Sequence, residues 1–137
     1  MKTDSYSHVL QRSYNHFQLC FFQGLCIDHK TIMGRIEQLV ESRIARRRVV
    51  VFSKQSCSYS RKAKRILQMY VDDGTLPAHD LDVMEIEDLS DCDVIMDYLL
   101  TRTGGRTVPR VFVDRKFVGG ADDIVTSHEN GTLPSLL

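Results

Sequence analysis

The stretch from Phe52 to Arg65, FSKQSCSYSRKAKR, holds one cysteine, Cys57, flanked by Ser56, Ser58 and Ser60 and by the bases Lys54, Arg61, Lys62, Lys64 and Arg65. A thiol acts as its thiolate, which attacks disulfides and binds metals. Ionisation is favoured beside cations or at a helix N-terminus, and Lys54 and Arg61 supply the cations in sequence. A second cysteine three residues on would complete a C-x-x-C pair, but Ser60 stands there. Cysteine is also a common small core residue, so the alternative is a hydrophobe buried at a corner. The serine flank favours a wet corner and a working nucleophile.

The remaining cysteines are Cys20, Cys26 and Cys92, and no two of the four are two to four residues apart, so no zinc pattern forms. Thiols without a secretory signal suggest a reducing compartment, with the cytoplasm expected and the mitochondrion as the alternative. The histidines, His8, His16, His29, His79 and His128, have no ligand-like spacing to Cys57.

The elements that must position Cys57 are legible from periodicity. Apolar residues at Ile32, Ile36, Leu39, Val40 and Ile44 predict a helix. The continuous run Val49–Phe52 predicts a strand buried on both faces, hence central in its sheet. After Cys57, Ala63, Ile66, Leu67 and Tyr70 fall on one helical face. Asp82–Glu87 alternates as a half-buried strand. A helix follows, with Asp91 in the N-cap position and Gly104 as its stop. Two runs, Arg110–Val113 and Phe117–Val118, predict a hairpin about the turn Asp114-Arg115-Lys116, before a last helix closing at Gly131. The order predicts an α/β fold, a mixed four-stranded sheet with helices on both faces. Cys57 then lies past the C-terminal end of a central strand, where ligands bind in such folds, and at a helix start.

The 137 residues fit one domain and carry zero formal net charge. Residues 1–48 hold eight bases against four acids and residues 49–137 ten against fourteen. That balance argues against nucleic acid as partner, and no apolar run reaches membrane-spanning length. Residues 1–30 are acid-poor but hardly arginine-rich. They are expected to form a flexible or targeting extension, with the folded domain at 31–137.

Three segments, VVVFSKQSCSYS at 49–60, Thr107–Pro109 and Gly119–Asp123, resemble in order and spacing the signature segments of the glutaredoxins, across roughly residues 32–137. The C-S-Y-x form is similar to mitochondrial-type members, here as a monothiol C-S-Y-S variant. The resemblance implies a thioredoxin-like fold and a glutathione-dependent thiol-disulfide oxidoreductase. Its substrates would be mixed disulfides between glutathione and proteins. Cys57 matches the nucleophile, Lys54 a lysine that supports the thiolate and meets a glutathione carboxylate, and Tyr59 an aromatic wall. Thr107, Val108 and Pro109 match a loop with a cis proline, whose Val108 backbone would pair with the cysteinyl part of glutathione. Gly120, Ala121 and Asp122 match the segment holding the γ-glutamyl end.

Met96 stands near the place where many glutaredoxins carry a glutamine for the glycine carboxylate, and Arg106 with Lys54 is expected to compensate. Ser60 replaces the resolving cysteine, so the resemblance implies a monothiol route in a monomer. One alternative is a 2Fe–2S cluster bridging two chains through Cys57 and glutathione, toward which Ser58 in place of proline leans. The C-G-F-S form of the cluster-specialised class is absent. The other is a catalytically weak glutathione- or protein-binding module.

Overall fold

The computed structural model describes residues 27–137, and residues 1–26 of the expected extension, with Cys20 and Cys26, lie outside that range. The elements run α1 (His29–Arg46), β1 (Val49–Ser53), α2 (Ser58–Asp72), β2 (Leu81–Glu85), α3 (Cys92–Thr103), β3 (Arg110–Val113), β4 (Lys116–Gly119) and α4 (Ala121–Glu129). The chain divides at Gln38 into two compact units, and the unit Leu39–Leu137 carries the whole sheet. The strand order is β2-β1-β3-β4. β1 pairs parallel with β2 and antiparallel with β3, and β3 pairs antiparallel with β4. The expected mixed four-stranded sheet is therefore present, with β1 inside it.

Each assignment has a local cause. All five residues of β1 are buried, as an interior strand covered on both faces requires. One face of the sheet, with Val49, Val51, Val111 and Val113, packs on Ala63, Ile66, Leu67 and Tyr70 of α2 and on Ala121 and Ile124 of α4. These α2 residues are those that share a face by helical spacing. On the other face Phe52 and Phe112 meet edge to face, with ring centroids 5.9 Å apart. Over Phe112 lies the Arg102 guanidinium of α3, 5.7 Å from the ring centroid. The C-terminal half of α1 is tied in by Glu41, which accepts from Tyr98 Oη at 2.9 Å and Arg102 Nε at 2.9 Å. Gly104 ends α3 at φ 80°, and its N–H donates to Leu100 O at 2.8 Å. A left-handed C-terminal glycine stops a helix in this way.

Two expectations are corrected. The hairpin turn has two residues, Asp114 (φ 48°) and Arg115 (φ 68°), and Lys116 belongs to β4 opposite Val113. A two-residue turn with both φ positive matches the twist of the strands it joins. Glycine or asparagine would have announced it, whereas Arg115 conceals it. β2 begins at Leu81 and ends at Glu85, earlier than the alternation suggests. The parallel register explains this, because Ser53, the last residue of β1, pairs with Glu85.

Candidate active site

β1 ends at Ser53, and a tight turn, closed by the Cys57 N–H donating to Lys54 O at 3.2 Å, leads to α2. Cys57 is the N-cap of α2 (φ −80°, ψ 118°), and its carbonyl accepts from Arg61 N–H at 3.1 Å. An N-cap side chain faces the free N–H groups of the first turn, here those of Tyr59 and Ser60. Burial pushes the Cys57 thiol up, but the amide and hydroxyl of Ser60, the Tyr59 amide and the Arg61 charge outweigh it and hold the thiol below its ordinary value. Two hydrogen-bonding states account for this. Protonated, the thiol donates to Val108 O at 3.6 Å, while the fully buried Ser60 Oγ has no partner among the described residues. Ionised, the sulfur becomes an acceptor, and the Ser60 hydroxyl can turn its proton toward it.

The sign of the pH dependence follows. Alkylation of Cys57, followed by mass spectrometry to separate it from the other three cysteines, is expected to reach half-maximal rate below the about 8.5 of a free cysteine. A midpoint at or above that value would refute the activated thiol. Folding lowers this pKa, so ionised Cys57 stabilises the fold above the unfolded thiol's titration. That contribution is lost as pH falls through the folded value.

The loop before Cys57 is held from the β2–α3 connection. Glu87 accepts from Ser56 N–H at 3.1 Å and forms a short hydrogen bond with the Ser56 hydroxyl. The Ser56 hydroxyl and amide hold the Glu87 carboxyl below its usual range, with smaller help from the Gln55 amide and Lys54. Arg61 Nη1 donates to Gln55 O at 3.2 Å. Lys54 is half-buried beside this carboxylate, and Tyr59 is 61% exposed at the mouth of the site.

The opposite wall is the segment before β3. The Val108–Pro109 bond is cis, as the resemblance implies. Among the described residues the Val108 N–H makes no hydrogen bond, so its backbone edge is open beside the sulfur. Arg110 braces this segment. Its Nε–H donates to Thr107 O at 2.8 Å, its Nη2 to Thr107 Oγ1 at 2.7 Å, and its guanidinium lies 5.3 Å from the Phe117 ring centroid. Burial lowers the Arg110 pKa against the opposing pull of Asp123. The guanidinium lies so close to Gly105 that a Cβ there would collide with it.

β4 ends at Gly119, whose φ of 135° and contact with the Asp123 carboxylate leave no place for a Cβ. Gly120 caps α4 and donates its N–H to Asp123 Oδ2 at 2.9 Å. Ala121 is buried and Asp122 is exposed on the first turn of α4.

Some expected site residues are otherwise engaged. Arg106 is paired with Asp97 (Nε to Oδ1, 2.8 Å) and Asp93 (Nη2 to Oδ1, 3.2 Å), and both carboxylates, Asp97 first, raise its pKa. It is thus already neutralised rather than free for an incoming carboxylate. Met96 is 4% exposed and packs as a core residue. Cys92 opens α3 as a free thiol. Sequence reasoning missed Glu87, Arg110 and His128. His128 Nδ1 lies 2.7 Å from Tyr70 Oη, joining α4 to α2. No periodicity signals such side-chain pairs across elements. Among the described residues no His, Cys, Asp and Glu group could hold a metal ion, and no helix is long and apolar enough to cross a membrane.

An activated cysteine at a helix N-cap, facing a cis-proline backbone edge at the end of a mixed four-stranded sheet, defines a thiol oxidoreductase of thioredoxin-like fold. The glutaredoxin family model matches residues 49–118, and the chain belongs to the glutaredoxins, a family of glutathione-dependent thiol oxidoreductases. It is 40% identical to glutaredoxin-1 of Oryctolagus cuniculus over 98 residues, 71% of this chain and 88% of that one. The structure of oxidised glutaredoxin 2 from Chlamydomonas reinhardtii superposes with a TM-score of 0.68 at 39% identity, covering 77% of this chain and 92% of that one. A buckwheat glutaredoxin–glutathione complex superposes with a TM-score of 0.64 at 31% identity, covering 77% and 89%.

Proposed function

We propose that this chain reduces mixed disulfides between glutathione and protein thiols by a monothiol route. The observation that carries the reading is Ser60, buried and three residues after Cys57, where a second thiol would have to stand. The Cys57 thiolate attacks the glutathionyl sulfur, the old S–S bond breaks, and the protein thiol leaves as its thiolate. The Cys57–glutathione disulfide is then attacked by a second glutathione thiolate, giving oxidised glutathione and free Cys57. The open Val108 backbone edge suits an extended cysteinyl unit, and the first turn of α4 with Asp122 suits the charged γ-glutamyl end. The glutathione complex of the buckwheat relative supports this choice of co-substrate. Lys54 remains for the glycine carboxylate, since Arg106 is paired and Met96 is buried.

The test compares two substrates, a glutathionylated peptide with glutathione and glutathione reductase, and a protein disulfide. The wild type is expected to turn over the first and leave the second nearly untouched. Ser60→Cys is expected to reduce the protein disulfide at least about tenfold faster, because a resolving thiol frees Cys57 from the mixed disulfide. Equal rates for the two proteins on the protein disulfide would sink the monothiol reading, since another thiol would then resolve.

A further inference from the structure

Helix α2 carries its charges against its own dipole. Arg61, Lys62, Lys64 and Arg65 crowd its first turns, no acid occupies the first turn, no base the last, and Asp72 ends it. Cations at a helix N-terminus and an anion at its C-terminus are each unfavourable. Arg61 and Arg65, four apart, add like-charge repulsion. Elsewhere cations are commonly matched: Arg43 with Asp82, Arg102 with Glu41, Arg106 with Asp93 and Asp97. On α2 only Lys64 has an acid, Glu85, and Arg61 holds the Gln55 carbonyl. Among the described residues Lys62 and Arg65 have no partner and are exposed. On the same face lies an exposed apolar side chain, Met69 at 53%, and Tyr59, 61% exposed, stands in the first turn beside Cys57. Lys62, Arg65 and Met69 follow helical spacing in one stripe, and Tyr59 lies between its N-terminal end and Cys57. Between Tyr59 and Met69 the surface is about 15 Å long at the helical rise, the span of about five extended residues.

From this stripe we infer a docking surface for an acidic segment of the protein substrate, flanking the glutathionylated cysteine. The inference rests on the proposed function for its substrate class and goes further in naming the sequence around the target thiol. The disulfide sits at the helix N-cap, and the segment on one side of it runs along α2, with carboxylates on Lys62 and Arg65 and apolar groups between Tyr59 and Met69. A like-charged stripe that weakens its own helix is compensated when an anionic partner lies on it. The same field steers acidic partners to the thiolate and acts mainly on association, so it is sensitive to salt.

The experiment uses two glutathionylated peptides of equal length, one with Asp and Glu about the cysteine and one with Lys. At low ionic strength kcat/KM is expected to favour the acidic peptide by about tenfold, within the range of electrostatic steering. The preference should vanish in high salt and in the double variant Lys62→Glu/Arg65→Glu. Turnover of the mixed disulfide of glutathione with a small uncharged thiol, whose only charges are on the glutathionyl half common to both peptides, should change far less in that variant than turnover of the acidic peptide. Equal kcat/KM for the two peptides at low salt, or a preference that survives the double variant, overturns the proposal.

Fluorescence anisotropy with cysteine-free versions of both peptides reads docking without turnover. Acid-selective binding without turnover keeps the docking surface and refutes the enzymatic reading instead. Binding of phosphatidylserine vesicles but of neither peptide would assign the stripe to a membrane surface and overturn the proposal.

Discussion

Replacing Cys57 by serine is expected to lower turnover of a glutathionylated peptide by at least about 1,000-fold, because no other group in the site can take the glutathionyl sulfur. Ser60 is a hydroxyl without a base beside it among the described residues, and a serine at 57 supplies the N-cap oxygen that a helix start prefers. The variant should therefore fold as the wild type does, with a melting temperature close to it at a pH where the wild-type thiol is protonated. Activity retained within tenfold would move the nucleophile to one of the other three cysteines and dismantle the site described above. A loss of activity together with a loss of structure would show that Cys57 acts in packing, the alternative its half-buried position allows.

The second large effect is on stability. Phe112→Ala is expected to cost about 3–5 kcal/mol, the range for emptying a buried aromatic site. Phe112 is 1% exposed. It meets Phe52 edge to face at 5.9 Å, tilts on Phe117 at 5.5 Å, and lies under the Arg102 guanidinium at 5.7 Å. Removal of the ring takes contacts from β1, β4 and α3 together, so the cavity cannot close by the motion of one element. Urea unfolding should show a lower midpoint with an unchanged slope. Met69→Ala, on the exposed face of α2, should stay within about 0.5 kcal/mol of the wild type. A Phe112→Ala loss below about 1 kcal/mol would mean that the second face of the sheet contributes little. Arg110 and Thr107 belong to the strand and segment that Phe112 anchors. Partial loss of that anchor should therefore reach the Val108 edge, seen as a lower kcat/KM in variants that still fold.

The legible and the hidden parts of the molecule divide by the range of the interactions that decide them. β1 was legible because four consecutive apolar residues leave no solvent face. The buried face of α2 was legible because Ala63, Ile66, Leu67 and Tyr70 repeat at helical spacing, and Gly104 because a left-handed stop favours glycine. The Asp114–Arg115 turn was misread by one residue, because its geometry is imposed by strand pairing and not by residue preference. Cys57 was placed correctly at its strand–helix corner, since the two elements around it are local. The braces around it were not legible. Glu87 reaches Ser56 across 31 residues, and Arg110 acts by folding back on Thr107 and beneath Gly105.

The sequence by itself determined the order of elements, the central strand, the cysteine at the strand–helix corner and the serine three residues after it. Those properties rest on residue type and short-range periodicity, which survive without any tertiary contact. Only the tertiary structure decided that the Cys57 thiol meets the Val108 carbonyl and that Ser60 is buried, its hydroxyl without a partner among the described residues. It also decided that Arg106 is spoken for by Asp93 and Asp97, whereas Lys62 and Arg65 have no acidic partner among the described residues. Hydrogen bonds and ion pairs act over a few ångströms, and which groups come that close is set by the packing of helices on the sheet. A list of charged residues cannot distinguish a neutralised cation from a free one, and that difference turns α2 from a solvated helix into a surface with a preferred partner.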